Sequence, residues 1–152
     1  MPGLPEELAQ VLDGEHLDSH AGFTMLLLTD GVDGWPHSAA LSVGEVLAVT
    51  PEVVHLMLYA ASRTSQALAA RGRGVLVAVV DGALTRVRLE VASSDAEDAR
   101  AGRRRFRGRV VAVEIDRVAY ARVTHGIEFE LLDTGARARW RRQIDELRGL
   151  ES

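Results

Sequence analysis

The sequence predicts a mainly β (α+β) protein, an antiparallel β-barrel of six or seven strands with short flanking helices. Apolar, β-branched segments of strand length recur along the chain. Most of them are separated by short turns instead of helices, and short turns join antiparallel neighbours. The 152 residues, 47% hydrophobic and 26% charged, are expected to form one domain, with the barrel at about 22–133 and a closing helix at about 136–148.

The first third of the chain predicts a helix followed by a hairpin. Apolar residues at helical spacing indicate a short helix over Pro5–Leu12. Strands are predicted over Gly22–Thr29 and Pro36–Val43, joined by the glycine-containing turn Asp30–Gly34. Because the first strand is apolar nearly throughout, it is expected to be buried on both faces. Gly44–Pro51 fits either a loop or a short strand.

The rest of the chain predicts a strand, one crossover helix and further hairpins. A strand over Val53–Tyr59 precedes a helix that starts at Ser62, a good N-cap residue, and runs to about Arg71. The remaining predictions, in chain order, are strands at Val75–Val80 and Leu84–Ala92 joined by Asp81–Gly82, a polar helix or loop at Ser93–Arg105, strands at Arg109–Arg122 and Ile127–Leu132, and a helix at Ala136–Leu147.

Composition excludes several kinds of chemistry. The chain has no cysteine, which excludes disulfides and thiolate catalysis and fits a reducing, cytoplasmic location. It also has no lysine, so no side-chain amine can form a Schiff base, and any anion site must use arginine, hydroxyl or backbone N–H groups. The apolar runs are too short to cross a bilayer, and no membrane association or metal site is expected.

The densest charge run, Arg103–Arg109, carries one aromatic residue, Phe106. Basic residues interleaved with aromatics can bind nucleic acid. However, the net charge of the chain is −4, and Asp95, Glu97 and Asp98 closely precede the run. We therefore interpret it as a solvated, ion-paired helix or loop, or as the rim of a dimer, and expect no nucleic-acid partner.

Ser62–Gln66 is a candidate anion site. The N-terminus of a helix exposes unpaired N–H groups and the positive end of the helix dipole, which together favour phosphate binding. Here the helix start also carries Ser62, Arg63, Thr64 and Ser65, whose hydroxyl and guanidinium groups can donate to phosphate oxygens. An ordinary capped helix with a surface arginine would give the same pattern.

The strand at Pro36–Ser42 is unusual for its small residues, Ser38, Ala39, Ala40 and Ser42. Small side chains leave room for a flat ring against the strand, and backbone and serine groups can hydrogen-bond to the edge of such a ring. Close packing of a helix against the strand would equally explain the small residues. His37 lies beside this stretch, but no residue is singled out as a catalytic acid, base or nucleophile.

The order of these elements resembles the pyridoxamine 5'-phosphate oxidase-like FMN-binding split barrels. The resemblance covers about Gly22–Asp133 and rests on Asp33–His37, on Leu58-Tyr59 at the end of a strand, and on Ser62–Leu68. Thr64 stands where the oxidases themselves place lysine, and Ala39-Ala40 where they place Arg-Met, which argues against oxidation of pyridoxamine phosphate itself.

The resemblance implies a homodimeric FMN protein with the cofactor at the interface, working as an oxidoreductase on a small molecule. A deazaflavin or haem in place of FMN, and a non-catalytic ligand-binding or structural dimer, remain alternatives. It also implies that part of each pocket comes from the partner chain, through the closing helix with Trp140. The cofactor-binding residues it implies are Ser38, Ala39, Ala40, Leu41, Ser42 and Tyr59 on the strands, and Ser62, Arg63, Thr64, Ser65 and Gln66 at the helix start.

Overall fold

The computed structural model describes residues 1–94 and 102–150. Within these residues the chain forms seven strands and three helices. In chain order they are α1 (Glu6–Val11), β1 (Met25–Asp30), β2 (Pro36–Leu41), β3 (Val46–Thr50), β4 (Val53–Tyr59), α2 (Arg63–Arg71), β5 (Arg73–Val80), β6 (Ala83–Ser93), β7 (Arg103–Asp116) and α3 (Ala136–Arg148). The predicted class, mainly β with short helices, is confirmed.

All neighbouring strands pair antiparallel in one sheet, in the order β2-β1-β5-β6-β7-β4-β3. The predicted hairpins β1–β2 and β5–β6 are present, and Gly44–Pro51 contains a strand, β3. Helix α2 connects β4 to β5, which lie three strands apart in the sheet. It is therefore the crossover that the sequence predicted after Tyr59.

The connection between β2 and β3 requires the sheet to curl. These two strands lie at opposite ends of the sheet order, yet only residues 42–45 separate them in the chain. In a flat sheet the six inter-strand gaps would hold them about 29 Å apart, whereas the chain from Leu41 to Val46 can span at most about 18 Å. The two edges therefore approach each other without pairing, as in a split barrel. We call residues 42–45 the seam loop.

The inner face of the curled sheet forms the core. Side chains alternate along each strand, so that Leu27, Leu76, Val87 and Phe106 are fully buried on the inner face. Helix α2 packs inside one end of the sheet, where Leu68 meets the backbone of Gly74. The outer face of β1, β2 and β5 carries partly exposed apolar side chains, such as Leu26, Leu28 and Val77.

Helix α3 closes the opposite side against β3, β4 and the seam loop. The indole ring of Trp140 packs directly on Gly44, where a Cβ atom would overlap it. The amide nitrogen of Gln143 donates to the Gly44 carbonyl oxygen at 2.7 Å, and Nδ1 of the fully buried His55 donates to the Leu147 carbonyl oxygen at 2.8 Å. These contacts hold the seam loop to the C-terminal helix.

The predicted strand at Ile127–Leu132 is wrong. The segment makes one bridge, between Glu128 and Phe23, and forms no strand. The reason is that β1 already has a partner on each side, β2 and β5, over its central residues. A further strand has no free edge of β1 to join, so only Phe23, upstream of β1, is available for pairing.

The predicted burial of the first strand on both faces is also wrong. Along β1 the side chains alternate between buried and more exposed positions, and Leu28 is 38% exposed on the outer face. A strand that is apolar on both faces therefore leaves one apolar face uncovered in a single copy of the chain.

The arginine-rich run is a strand, which corrects the prediction of a helix or loop over Ser93–Arg105. Ser93 ends β6 and Arg103 begins β7, whereas residues 95–101, with the acidic residues expected to neutralise the run, lie outside the described part of the chain. The predicted strand Arg109–Arg122 accordingly starts earlier and ends at Asp116. Cross-strand contacts stabilise the charges of β7, for example the 2.6 Å ion pair between Arg109 and Glu90 of β6.

Candidate functional site

The start of α2 is built by three serine and backbone contacts. The Ser62 hydroxyl accepts a hydrogen bond from the Ser65 N–H at 3.1 Å and so caps the helix. The Ser62 hydroxyl donates to Ser65 Oγ at 3.1 Å, and Ser65 Oγ donates to the Tyr59 carbonyl oxygen at 2.6 Å. The predicted N-cap is therefore present, and it anchors the helix to the end of β4.

The same contacts decide which predicted phosphate groups face outward. The hydroxyls of Ser62 and Ser65 are engaged in these internal bonds, and the side chain of Thr64 is buried. Arg63 and Gln66 are exposed, and Arg63 forms no ion pair within residues 1–94 and 102–150. The N–H groups of Arg63 and Thr64, in the first turn, also have no partner in the described chain. What remains for an anion is the Arg63 guanidinium with these two N–H groups.

Tyr59 adjoins the helix start and contacts a second arginine, Arg103 of β7. Its ring is 61% exposed, and the guanidinium carbon of Arg103, its cross-strand partner on β7, lies 4.7 Å from the ring centroid. Arg103 forms no ion pair within the described residues. Arg63 and Arg103 thus lie near the end of β4, and both favour an anionic ligand, although Arg103 also acts by charge on the Glu45 carboxyl.

The small residues of β2 are divided between two faces. Ser38 and Ala40 are exposed on the outer face, whereas Ala39 is half-buried and Leu41 is buried on the inner face. Because β2 pairs with β1 alone among the described strands, its other edge presents unpaired backbone N–H and C=O groups. The strand therefore offers a shallow surface with backbone donors and acceptors, and α2 packs close to it.

Ser42, the last of the predicted ring contacts, is buried and is the first residue of the seam loop. Its N–H and its hydroxyl both donate to Oε1 of Glu45, each at 2.9 Å. Burial raises the pKa of the Glu45 carboxyl above its ordinary value of 4.5, against the opposing effects of the Ser42 hydrogen bonds and of the charges of Arg103 and Arg139. A carboxylate thus lies at the end of β2, hydrogen-bonded to a predicted site residue.

Sequence reasoning missed both Glu45 and Arg103. Glu45 lies in a stretch that fits either a loop or a strand. The residues next to it in the sequence do not indicate that its side chain is buried, because the burial comes from distant parts of the barrel. Arg103 belongs to a run that was interpreted as solvated. The alternation of Phe106, Gly108 and Val110, buried at every second position, is the signal of a strand that could have placed it.

The sequence has a curated relative of nearly the same length. The uncharacterized protein YclD of Bacillus subtilis (strain 168) is 31% identical over 147 residues, which are 95% of this chain and 96% of YclD. The chain belongs to the YclD family. No family model matches this chain.

Solved structures show that this member of the YclD family has the pyridoxamine 5'-phosphate oxidase-like split-barrel fold. A candidate pyridoxamine 5'-phosphate oxidase from Lactobacillus delbrueckii superposes with a TM-score of 0.56 at 16% identity, covering 75% of this chain and 95% of its own. An FMN-binding protein from Syntrophomonas wolfei gives 0.51 at 16% identity, with coverages of 74% and 94%. An F420 reductase gives 0.53 at 13% identity, with coverages of 73% and 98%. The resemblance predicted from the sequence is confirmed for the fold.

None of the helices in the described ranges has the length and apolar character that crossing a membrane requires.

Proposed function

We propose that the chain binds FMN or a closely related flavin-type cofactor and works as a homodimeric oxidoreductase on a small molecule. The observation that carries the proposal is the start of α2, beside an edge strand of small residues, where Arg63 is exposed. Among the described residues, neither its guanidinium nor the two adjoining backbone N–H groups have a partner. The helix start fits an anionic group, and the edge strand fits a flat ring that a short linker joins to that group. The fold supports this assignment, because proteins with flavin-related names share it.

The phosphate end of the cofactor is assigned to the first turn of α2. The Arg63 guanidinium can donate two parallel hydrogen bonds to a phosphate, and the helix dipole adds to the attraction. Gln66 is exposed one turn further along and can donate from its amide. Ser62, Thr64 and Ser65 contribute through the backbone conformation that they stabilise, since their side chains are engaged or buried.

The ring end is assigned to β2. Ser38 and Ala40 lie on its exposed face, where small side chains allow a ring to approach the backbone, and Ala39 and Leu41 support the strand from the core side. The free edge of β2 can supply donors and acceptors to the polar edge of a flavin. Tyr59 is assigned to the phosphate end, since it precedes the helix start and its exposed ring packs against Arg103. When bound, such a cofactor supplies electron or hydride transfer, while the protein binds and orients it.

A second copy of the chain is proposed to cover the outer face beside β2. Two cross-strand rows there are apolar or small: Ala40–Leu26–Val77 and Ser38–Leu28–Val75. None of these side chains is fully buried in the single chain, and together they form a surface of the kind that homodimers cover. Trp140 is not included in this surface, because it is 5% exposed and packs on Gly44 of its own chain.

A deazaflavin is the alternative to FMN as the cofactor, and a comparison of folds supports it. The fold is shared with an F420 reductase as well as with an FMN-binding protein. Both cofactors would present phosphate to α2 and a tricyclic ring to β2.

A non-catalytic dimer is the remaining candidate, because the hydroxyls of Ser62 and Ser65 are not free to bind a ligand. The absence of cysteine favours a cytoplasmic location for any of these.

Titration of the purified protein with FMN, followed by flavin fluorescence and by the absorbance spectrum after removal of excess ligand, tests the proposal. We expect saturable quenching and a flavin spectrum that stays with the protein. Parallel titration with a deazaflavin and with haem separates the three cofactors. A protein that retains none of them would contradict the proposed function.

A further inference from the structure

The seam loop contains a compact hydrogen-bonded group centred on Glu45. Oε1 of Glu45 accepts from both the N–H and the hydroxyl of Ser42, at 2.9 Å each. The Ser42 hydroxyl in turn accepts from the N–H of Gly44 at 3.2 Å, and the Glu45 N–H donates to the Ser42 carbonyl at 3.2 Å. The conformation of the residue that ends the proposed ring site is therefore set by one carboxylate.

Three surrounding elements hold this group in place. The backbone carbonyl of Glu45 accepts from the Met57 N–H of β4 at 2.9 Å. Gln143 and Trp140 of α3 contact Gly44, through a 2.7 Å hydrogen bond and through direct packing. Two guanidinium groups act on the carboxylate by charge, Arg103 from β7 and Arg139 from α3.

A carboxylate in this position is costly for the fold. Desolvation is the largest effect on Glu45 and disfavours its charged form, so the ionised side chain weakens the folded state at neutral pH. A glutamine could accept the same two hydrogen bonds without that cost. Titratable groups that are kept at such a cost cluster at functional sites.

We propose that Glu45 is a positioning residue for the cofactor ring, fixing through Ser42 the place of the C-terminal end of β2. The inference rests on the function proposed above. Ionised, Glu45 accepts two charge-assisted hydrogen bonds from Ser42 and attracts Arg103 and Arg139. Desolvation outweighs these attractions, so protonation removes the larger cost and favours the buried geometry of the seam loop. The end of β2 is then held more firmly, and the ring end of the site binds more tightly.

The first test measures the dissociation constant of FMN between about pH 5 and pH 8 for the wild-type protein and for Glu45→Gln. Relative to Glu45→Gln, which lacks the buried charge at every pH, we expect the wild-type protein to bind several-fold more weakly near neutral pH and to approach the affinity of the variant toward the acidic end. Because the FMN phosphate also titrates near pH 6, the difference between the two profiles decides the result. The control is Glu52→Gln, at a half-buried glutamate whose side chain has no hydrogen bond or ion pair in the described chain.

The second test needs no cofactor. Trp140 packs on Gly44, so in a Trp35→Phe background its fluorescence reports on the seam loop. We expect an emission change with a midpoint above 4.5 that is absent in Glu45→Gln and moves to higher pH in Ser42→Ala, which removes one hydrogen bond to the carboxylate.

The outcomes separate the two proposals. Parallel FMN profiles for wild type and Glu45→Gln would overturn the role of Glu45, as would a Trp140 transition that persists in Glu45→Gln. A wild-type protein that binds no flavin overturns the proposed function and with it the ring-positioning role. In that case the Trp140 titration still decides whether Glu45 controls the seam loop.

Discussion

The hydroxyl of Ser65 donates a 2.6 Å hydrogen bond to the carbonyl oxygen of Tyr59. This contact turns the last carbonyl of β4 toward the first turn of α2, so the strand end and the helix start form one rigid corner. Arg63 projects from that corner and Arg103 packs on the Tyr59 ring beside it. The proposed phosphate site lies at this corner.

Loss of the helix cap should weaken the fold. In Ser62→Ala the Ser65 N–H loses its acceptor, and the free energy of unfolding should fall by about 1 kcal/mol, the usual effect of removing a serine N-cap. Urea unfolding followed by circular dichroism measures it. Ser19→Ala, at an exposed serine outside the regular elements, is the control and should leave the midpoint unchanged. Equal midpoints for the two variants would show that the cap contributes nothing.

Removal of the guanidinium group at the helix start should weaken cofactor binding without unfolding the protein. Arg63→Ala should raise the dissociation constant of FMN ten- to hundredfold, since a hydrogen bond to a charged group contributes about 1.5–3 kcal/mol. The matched control is Arg71→Ala, an exposed arginine at the other end of the same helix, where a cation does not face the phosphate. Isothermal titration calorimetry compares them, and equal affinities would remove Arg63 from the site.

A methyl group at the seam loop should be poorly tolerated. A Cβ atom at Gly44 would overlap the indole of Trp140, so Gly44→Ala must displace the ring or the loop. We expect a loss of about 1–3 kcal/mol in the free energy of unfolding, the usual cost of overpacking. Gly149→Ala serves as the comparison, because a Cβ there meets its nearest atoms at 3.5 Å and no left-handed backbone is required. A Gly44→Ala protein as stable as Gly149→Ala would show that α3 does not pack on the loop as described.

The stability of the protein should depend on pH through Glu45. Its pKa in the folded state is raised above 4.5, so the folded protein keeps this proton to higher pH than the unfolded chain does. The stabilising contribution of the protonated form is complete below 4.5 and is lost as the pH rises through the raised pKa. The wild-type protein should therefore lose stability relative to Glu45→Gln as the pH rises from 4.5 toward neutrality. Urea unfolding at a series of pH values checks this; a constant difference would contradict it.

The parts of the fold that depend on neighbouring residues could be predicted from the sequence. The cap at Ser62 and the turn at Asp81–Gly82 are local, because their hydrogen bonds and backbone angles involve residues a few positions apart. The antiparallel class followed from the same turns. The strand at Arg103 was harder to recognise, because its arginines contact residues far away in sequence, such as Tyr59 and Glu90, and only the alternation after Phe106 indicates it.

The candidate site also combines features that depend on neighbouring residues with features that depend on distant ones. The exposed Arg63 at a helix start is a local feature that the sequence predicted. The engagement of the Ser62 and Ser65 hydroxyls depends on the end of β4, and the burial of Glu45 depends on α3, which lies about ninety residues further along the chain. Contacts between distant parts of the barrel therefore determine both the engaged hydroxyls and the buried Glu45. The sequence around residues 42–45 does not indicate these contacts.

The short connection between β2 and β3 also governs how the molecule opens. The outermost strand of an open sheet can detach alone, because only one neighbour holds it. Here the two outermost strands are tied by the four residues of the seam loop, so a displacement of one is transmitted to the other. The amide protons of β2 and β3, at opposite ends of the sheet order, should therefore exchange with solvent as a single cooperative unit. The weakest part of the barrel is thus one unit, shared by both edges.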